Sequence, residues 1–204
     1  MADKLEDFWR GDFGNQYHQR NVGRINSNEH MFRFILDCNE LAPTSVVEFG
    51  AGTGQNLIAL KRLLPDIETI GVEINLQAVA AMQGCGTINA TIISTIQDFK
   101  PRQLTADLVL TKGLLIHLPP EDLPKAYEVL HACTDEWLLV CEYYCPVPRA
   151  INYRGNSGKA WARDFAGEIL DAYDDLELKD YGFVYNRGEF PQDDLHWFLM
   201  QKKS

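Results

Sequence analysis

No stretch of this sequence approaches the ~20 consecutive apolar residues that a bilayer-crossing helix needs, so membrane insertion is not expected. Basic residues are in deficit: 19 Lys and Arg stand against 29 Asp and Glu, a formal net charge of -10. A surface of that sign repels phosphate backbones, which argues against nucleic acid as a partner. It is still compatible with a local basic pocket for a small anion. Cysteine is sparse and ill-suited to pairing. Cys38, Cys85, Cys133, Cys141 and Cys145 are odd in number and form no C-x-x-C pair. A disulfide framework or zinc site is therefore not expected, and free thiols in a reducing cytosol are. No His/Cys/Asp cluster has ligand spacing, so no metal is expected. Met1-Ala2-Asp3-Lys4 is unlike the start of a signal peptide, and the expected location is the cytoplasm.

What is present is a globular composition. Hydrophobic residues make up 46% of 204, enough for one buried core and one domain spanning 1–204. Periodicity and punctuation predict helices over Ser27–Asn39, Gln55–Leu64, Leu76–Met82, Leu123–Cys133 and around Trp161–Tyr173. They predict strands over Ser45–Phe49, Glu68–Glu73, Ala90–Ser94, Ala106–Thr111 and Trp137–Tyr143, with late strands near Leu176–Gly182 and Trp197–Gln201. Tyr144–Gly158, rich in Pro, Gly, Asn and Arg, reads as a loop, and 144–165 as an insertion on the acceptor side of the domain. Strands alternating with helices imply β-α-β units, a parallel sheet and helices on both faces. Residues 1–40 form an N-terminal helical cap in this reading.

The strand Val46-Val47-Glu48-Phe49 runs directly into Gly50-Ala51-Gly52-Thr53-Gly54. Glycines there allow positive φ and let a ligand approach the backbone, and ligands of open α/β sheets bind at such turns. The spacing is G-x-G-x-G, and Asn56 stands where the third glycine of a dinucleotide fingerprint would fall. Glu48, two before the first glycine, would repel a pyrophosphate but suits a ligand with an ammonium and a sulfonium. That describes S-adenosylmethionine. On this reading Gly50, Ala51, Gly52, Gly54 and Asn56 line the cofactor, and Glu73 beside Ile74 accepts ribose hydroxyls. In proteins that bind this cofactor on such a sheet the turn after the third strand holds the adenine, and by position Thr95 and Ile96 fall there. Asp98 either assists there or caps the next turn. Thr111, Lys112 and Gly113 lie under the methionine portion. An oxidoreductase using a nicotinamide is the rival that Asn56 argues against.

His117 follows the fourth strand and Glu142 ends the fifth, and these are the candidate catalytic bases. His117 is alternatively a histidine satisfied by backbone partners. Tyr17 and Arg20 are candidates for the methionine carboxylate, since a guanidinium can bind a carboxylate with two bonds. Tyr143, Tyr144, Tyr153, Arg154, Lys159 and Arg163 are candidates for the acceptor. The three basic residues suit an anionic group, or alternatively ion pairs with Glu168, Asp171 or Asp174.

Phe8 to Asn21 (FWRGDFGNQYHQRN), Lys112 to Glu121, Tyr153 to Glu168, Tyr181 to Tyr185 and Asp194 to Leu199 resemble the pseudaminic-acid-biosynthesis-associated methylases, a branch of the class I methyltransferases. The resemblance covers nearly the whole chain. It implies a Rossmann-like seven-stranded sheet with the late strands antiparallel, an N-terminal helical lid, and S-adenosylmethionine as cofactor. The family does not define the acceptor; with the basic cluster of Arg154, Lys159 and Arg163, the expected reaction is methyl transfer to an oxygen or nitrogen of a small anionic acceptor, such as a sialic-acid-like sugar or nucleotide sugar, by a monomer or homodimer. The alternatives are a non-catalytic S-adenosylmethionine-binding partner in a biosynthetic complex, or transfer of another group from a modified donor.

Overall fold

The computed structural model describes residues 5–20, 23–101 and 104–203, with the side chains of 17–20 outside that description. Three helices come first: α1 (Leu5–Arg10), α2 (Asp12–Arg20) and α3 (Ile25–Cys38). The alternating region follows as β1 (Ser45–Phe49), α4 (Gln55–Leu63), β2 (Glu68–Glu73), α5 (Leu76–Gly84), β3 (Ala90–Ile93), β4 (Ala106–Lys112), α6 (Leu123–Cys133) and β5 (Thr134–Glu142). The chain ends with a hairpin of β6 (Arg149–Tyr153) and β7 (Asn156–Ala162), then α7 (Phe165–Ala172), β8 (Leu176–Val184) and β9 (Leu195–Lys202).

Seven strands make one sheet in the order β3-β2-β1-β4-β5-β9-β8. β1 to β5 are parallel, and β9 runs antiparallel to both β5 and β8. The central strands read as unbroken apolar runs because both faces are covered. Side chains alternate across the sheet: Val47, Val109, Leu138 and Val140 pack toward α6 and α7. Their neighbours Val46, Leu108, Leu110 and Leu139 pack toward α3, α4 and α5. Strand order reverses at β1, whose neighbours are β2 and β4. The carboxyl ends of these three strands therefore open onto a crevice, the place where such sheets bind ligands.

The segment expected to be a loop is the β6–β7 hairpin. Tyr153 pairs with Asn156, leaving Arg154 and Gly155 as a two-residue turn. Both have positive φ, 49° and 84°, the conformation that matches the twist of two joined strands. The helix expected from Trp161 begins at Phe165 instead. Trp161 lies in β7, and Asp164 caps α7 by accepting the Gly167 N–H at 2.8 Å. The turn residues of 144–158 were legible. The pairing of their flanks was not, because the alternation there is short and interrupted by glycine.

Candidate active site

The crevice holds a cavity of 410 Å³, within the range of small-molecule sites. Its floor is the glycine loop after β1. Gly50, Gly52 and Gly54 have φ of 73°, 54° and 76°, a left-handed path that L side chains rarely take. The loop is held to the next strand by Glu73. One Glu73 carboxylate oxygen accepts the Gly52 N–H at 2.8 Å, and the other accepts the N–H groups of Ile74 and Asn75, both at 2.8 Å. Burial raises the Glu73 pKa, and these three bonds oppose the rise.

Asn75 links this corner to the N-terminal helices. Its side-chain oxygen caps α5 by accepting the Gln77 and Ala78 N–H groups, both at 3.0 Å. Its amide nitrogen donates to the Trp9 carbonyl at 3.0 Å and to Asn15 at 2.9 Å. Trp9, with Leu5 and Glu6, thereby forms part of the cavity wall. Trp9 also meets the His117 ring, with centroids 4.5 Å apart, and Tyr153 of the hairpin lies 4.5 Å from His117 on its edge. The far end of the cavity is lined by Ile74, Thr95, Ile96, Gln97, Leu118 and Asp122. This gives apolar faces for a flat ring beside a few polar groups.

His117 Nδ1 lies 2.8 Å from the Lys159 carbonyl oxygen. A carbonyl only accepts, so Nδ1 carries the proton and Nε2 the lone pair. Burial pulls the His117 pKa down to about 4, partly offset by that bond, so the ring is neutral at physiological pH. The two sequence readings of His117 are compatible: one nitrogen is satisfied by backbone, and the residue lines the cavity.

Glu142 is placed differently from expectation. Its carboxylate accepts the N–H groups of Leu114 and Leu115 at 3.0 Å and Ile116 at 3.3 Å. It does not line the cavity. It holds the turn that carries His117, and burial pushes its pKa up to about 7 against those bonds. Glu48 also lies beneath the site rather than in its wall. It is fully buried and accepts from Asn56 Nδ2 at 2.5 Å. Gly54 and Thr111 do not line the cavity, while Gly50, Gly52, Glu73, Ile74, Thr95, Ile96, Lys112 and Gly113 do. Ala51 and Asn56 line a smaller chamber beside it, together with Arg24, Lys112 and Asp193. Asp98 does not line the cavity; its N–H donates to the Thr95 hydroxyl at 2.9 Å. The side chains of Tyr17 and Arg20 lie outside the described residues.

The expected acceptor residues do not converge. Arg163 pairs with Glu168 at 2.8 Å, one of the ion pairs open to it, although Lys159 and Arg163 sit on or beside β7 rather than on a helix. Lys159 Nζ lies 4.8 Å from the Phe8 ring centroid, and the Arg154 guanidinium 5.8 Å from the Tyr153 ring. Tyr143 is packed against the core, and burial pushes its pKa up to about 12. Tyr144 is on the outer sheet surface beside His196 and Phe198. Sequence reasoning missed Leu5, Glu6, Trp9, Asn75, Gln97 and Asp122 as wall residues. Only Asn75 carried a signal, as a capping residue two positions after the key acid.

The residues present fit a nucleoside bearing a cationic amino-acid tail. A fixed carboxylate faces the ribose position, apolar walls flank a ring position, and glycines clear the path between. Residues 46–136 match a family described as "Methyltransferase domain". Among solved structures the chain is similar to magnesium protoporphyrin IX methyltransferase from Synechocystis PCC 6803 with bound SAM (14% identity, 99% of each chain, TM-score 0.73). It is also similar to the plantazolicin methyltransferase BpumL in complex with SAH (14% identity, 98% of this chain and 94–95% of that one, TM-score 0.67–0.69 across two complexes). A SAM-dependent methyltransferase from Leishmania major is 16% identical over 99% of this chain and 87% of that one, with a TM-score of 0.70. No curated protein sequence matches the chain. The sheet has the fold of the class I methyltransferases, and the segment matched by the methyltransferase-domain family carries the glycine loop and Glu73.

Proposed function

We propose that this chain is a methyltransferase that uses S-adenosylmethionine as donor and methylates an oxygen or nitrogen of a small acceptor. The observation that carries the reading is the Glu73 carboxylate, held by three N–H groups at the rim of the glycine loop and lining the cavity. When bound, the donor supplies an activated methyl group on a sulfonium. Glu73 would accept from the ribose, and Ile74, Ile96 and Thr95 would surround the adenine. What remains for the protein is alignment and exclusion of water. The roof of Trp9 and the hairpin residue Tyr153 over His117 serves both. Neutral His117, with Nε2 unprotonated, is the group suited to receive the acceptor's proton.

For the acceptor, the resemblance of the terminal and hairpin segments to the sugar-associated methylases supports a sialic-acid-like sugar or nucleotide sugar. The hairpin also brings positive charge to the roof: Lys159 lies over Phe8 and Arg154 over Tyr153. The test is calorimetric titration with S-adenosylmethionine and S-adenosylhomocysteine, followed by a methyl-transfer screen of acidic sugars, nucleotide sugars and small amines. Low-micromolar binding and a methylated acidic sugar are expected. Failure of both nucleosides to bind would overturn the donor, and methylation of amines alone would overturn the acceptor class.

A further inference from the structure

α7 has eight residues and spans about 12 Å, while nine-residue β8 spans about 30 Å. The helix therefore covers only part of the strand pair beneath it. Its Phe165 and Ile169 share a core cluster with Leu176 and Met200. Farther along, the same face carries Tyr181 and Phe183 of β8, with Tyr185 just past the strand end. Tyr181 stacks on Phe198 of β9 with centroids 6.3 Å apart, and Phe183 lies 4.8 Å from the His196 ring. Tyr181, Phe183 and Tyr185 are 67%, 51% and 52% exposed, and Tyr144, just past β5, is 36% exposed. We propose that this aromatic face binds a second copy of the chain, forming a homodimer about a two-fold axis.

Area, charge and strand geometry select that occupant. At about 200 Å² per large side chain, the exposed fractions of these four aromatics and of Leu178 amount to roughly 500 Å². The largest apolar patch on an ordinary monomer is about 300–600 Å², so this one lies near the top of the range. Pairing two copies removes about 1,000 Å² of mainly aromatic surface, and a polar rim brings the total to the roughly 1,200–2,000 Å² of stable interfaces. A two-fold axis sets the same rings against each other, and offset or edge-on ring pairs attract. The aromatic row itself is uncharged, so two chains of net charge -10 meet where their repulsion is least. Both signs flank it: Glu177 and Lys179 are exposed before the row, Arg187 and Glu189 after it. Copies that run antiparallel can thus set acid against base at each end. A strongly charged macromolecule finds no complementary charge in the row. β8 is also the edge strand of the sheet, but its register with β9 shifts between Leu178 and Asp180. A bulge with Lys179 on the edge disfavours addition of another strand. The second copy therefore packs on the face and does not extend the sheet.

The test is sedimentation equilibrium of the full chain from roughly 1 to 100 μM, which brackets micromolar association. Wild type should approach twice the chain mass of 23.2 kDa. The double variant Tyr181→Ser, Phe183→Ser should dissociate at least 10-fold more readily, as expected when central aromatic anchors are lost. Both side chains are exposed, so its far-UV circular dichroism should match wild type. Tyr185→Lys lies beyond the strand and should weaken the dimer without touching β8. Phe34→Ser, 54% exposed on α3 beside Trp197 on the other face of the sheet, should dimerise as wild type does. Sodium sulfate should tighten the dimer, since it screens the net repulsion and strengthens apolar burial. A wild-type chain at the single mass throughout would overturn the proposal and leave the face to a different protein. So would a dimer that the Tyr181, Phe183 and Tyr185 variants all retain, or one that salt dissociates. Association that climbs past the dimer would also overturn it, because that reports pairing along the sheet edge.

Discussion

Gly52 donates its N–H to the Glu73 carboxylate at 2.8 Å, across 21 residues of chain. This bond ties the loop after β1 to the end of β2, so one side chain shapes the floor of the cavity and presents an acid to it. Glu73→Ala leaves three N–H groups without their acceptor. Stability should fall by about 2–4 kcal/mol, since unsatisfied buried donors are expensive. Affinity for S-adenosylhomocysteine should fall much further than the folded fraction does. Urea unfolding and calorimetry on the same samples check this; nucleoside affinity equal to wild type would remove Glu73 from the site.

Gly14 is a sensor of the roof. A Cβ at this position would collide with the Trp9 carbonyl oxygen and come within 2.9 Å of Asn75 Nδ2. Gly14→Ala should therefore shift α1 away from Asn75 while the sheet stays intact. The expected result is weaker nucleoside binding with a change in melting temperature of only a few degrees, as for a loss of about 1 kcal/mol. Trp fluorescence should report increased exposure of Trp9. Unaltered binding and fluorescence would mean that the roof does not seat through this contact.

His117→Ala should slow methyl transfer by roughly 10²- to 10⁴-fold, the usual contribution of a general base, with nucleoside affinity nearly unchanged. Because burial holds the His117 pKa at about 4, the wild-type rate should show no histidine limb between pH 6 and 8. Turnover of the variant at the wild-type rate would exclude His117 from the chemistry.

Glu48 sets an alkaline limit on stability. Its folded-state pKa is about 8 against 4.5 for a free carboxylate, chiefly through burial. The folded chain keeps a proton that the unfolded chain has released, so stability is lost as pH rises from 4.5 toward 8. Glu142, at about 7, adds in the same direction. His117 acts oppositely. Its folded value of about 4 lies below the ordinary 6.5, so stability is lost as pH falls through that interval. The intervals overlap between pH 4.5 and 6.5, where two glutamates outweigh one histidine, so thermal midpoints across pH 4 to 9 should peak near the acid end of that overlap and fall toward pH 8. Glu48→Gln should flatten the alkaline limb, and an unchanged limb in that variant would assign it elsewhere.

The central sheet was legible because its determinants are local. A strand buried on both faces must be apolar throughout, and Val46 to Phe49 and Leu108 to Leu110 announce this without reference to partners. The glycine loop and Glu73 were legible for a related reason: the distance between them is one β-α-β unit, which sequence spacing measures directly.

Residues whose roles depend on register or on distant segments were not legible in this way. Glu142 looks like a base at a strand end, but pairing of Lys112 with Cys141 brings it opposite the turn at 114–116, where backbone donors claim it. Arg163 looks like part of a basic cluster until α7 supplies Glu168. Arg24 and Asp193 meet across 169 residues, and no pattern in either segment announces the other. The sequence by itself determined the elements of the central sheet and where the ligand crevice opens, since both follow from hydrophobic period and glycine spacing, but not the β6–β7 hairpin. The tertiary structure alone decided which polar groups are spent on the backbone and which face the cavity, because that depends on which distant donors and acceptors packing brings within hydrogen-bond reach.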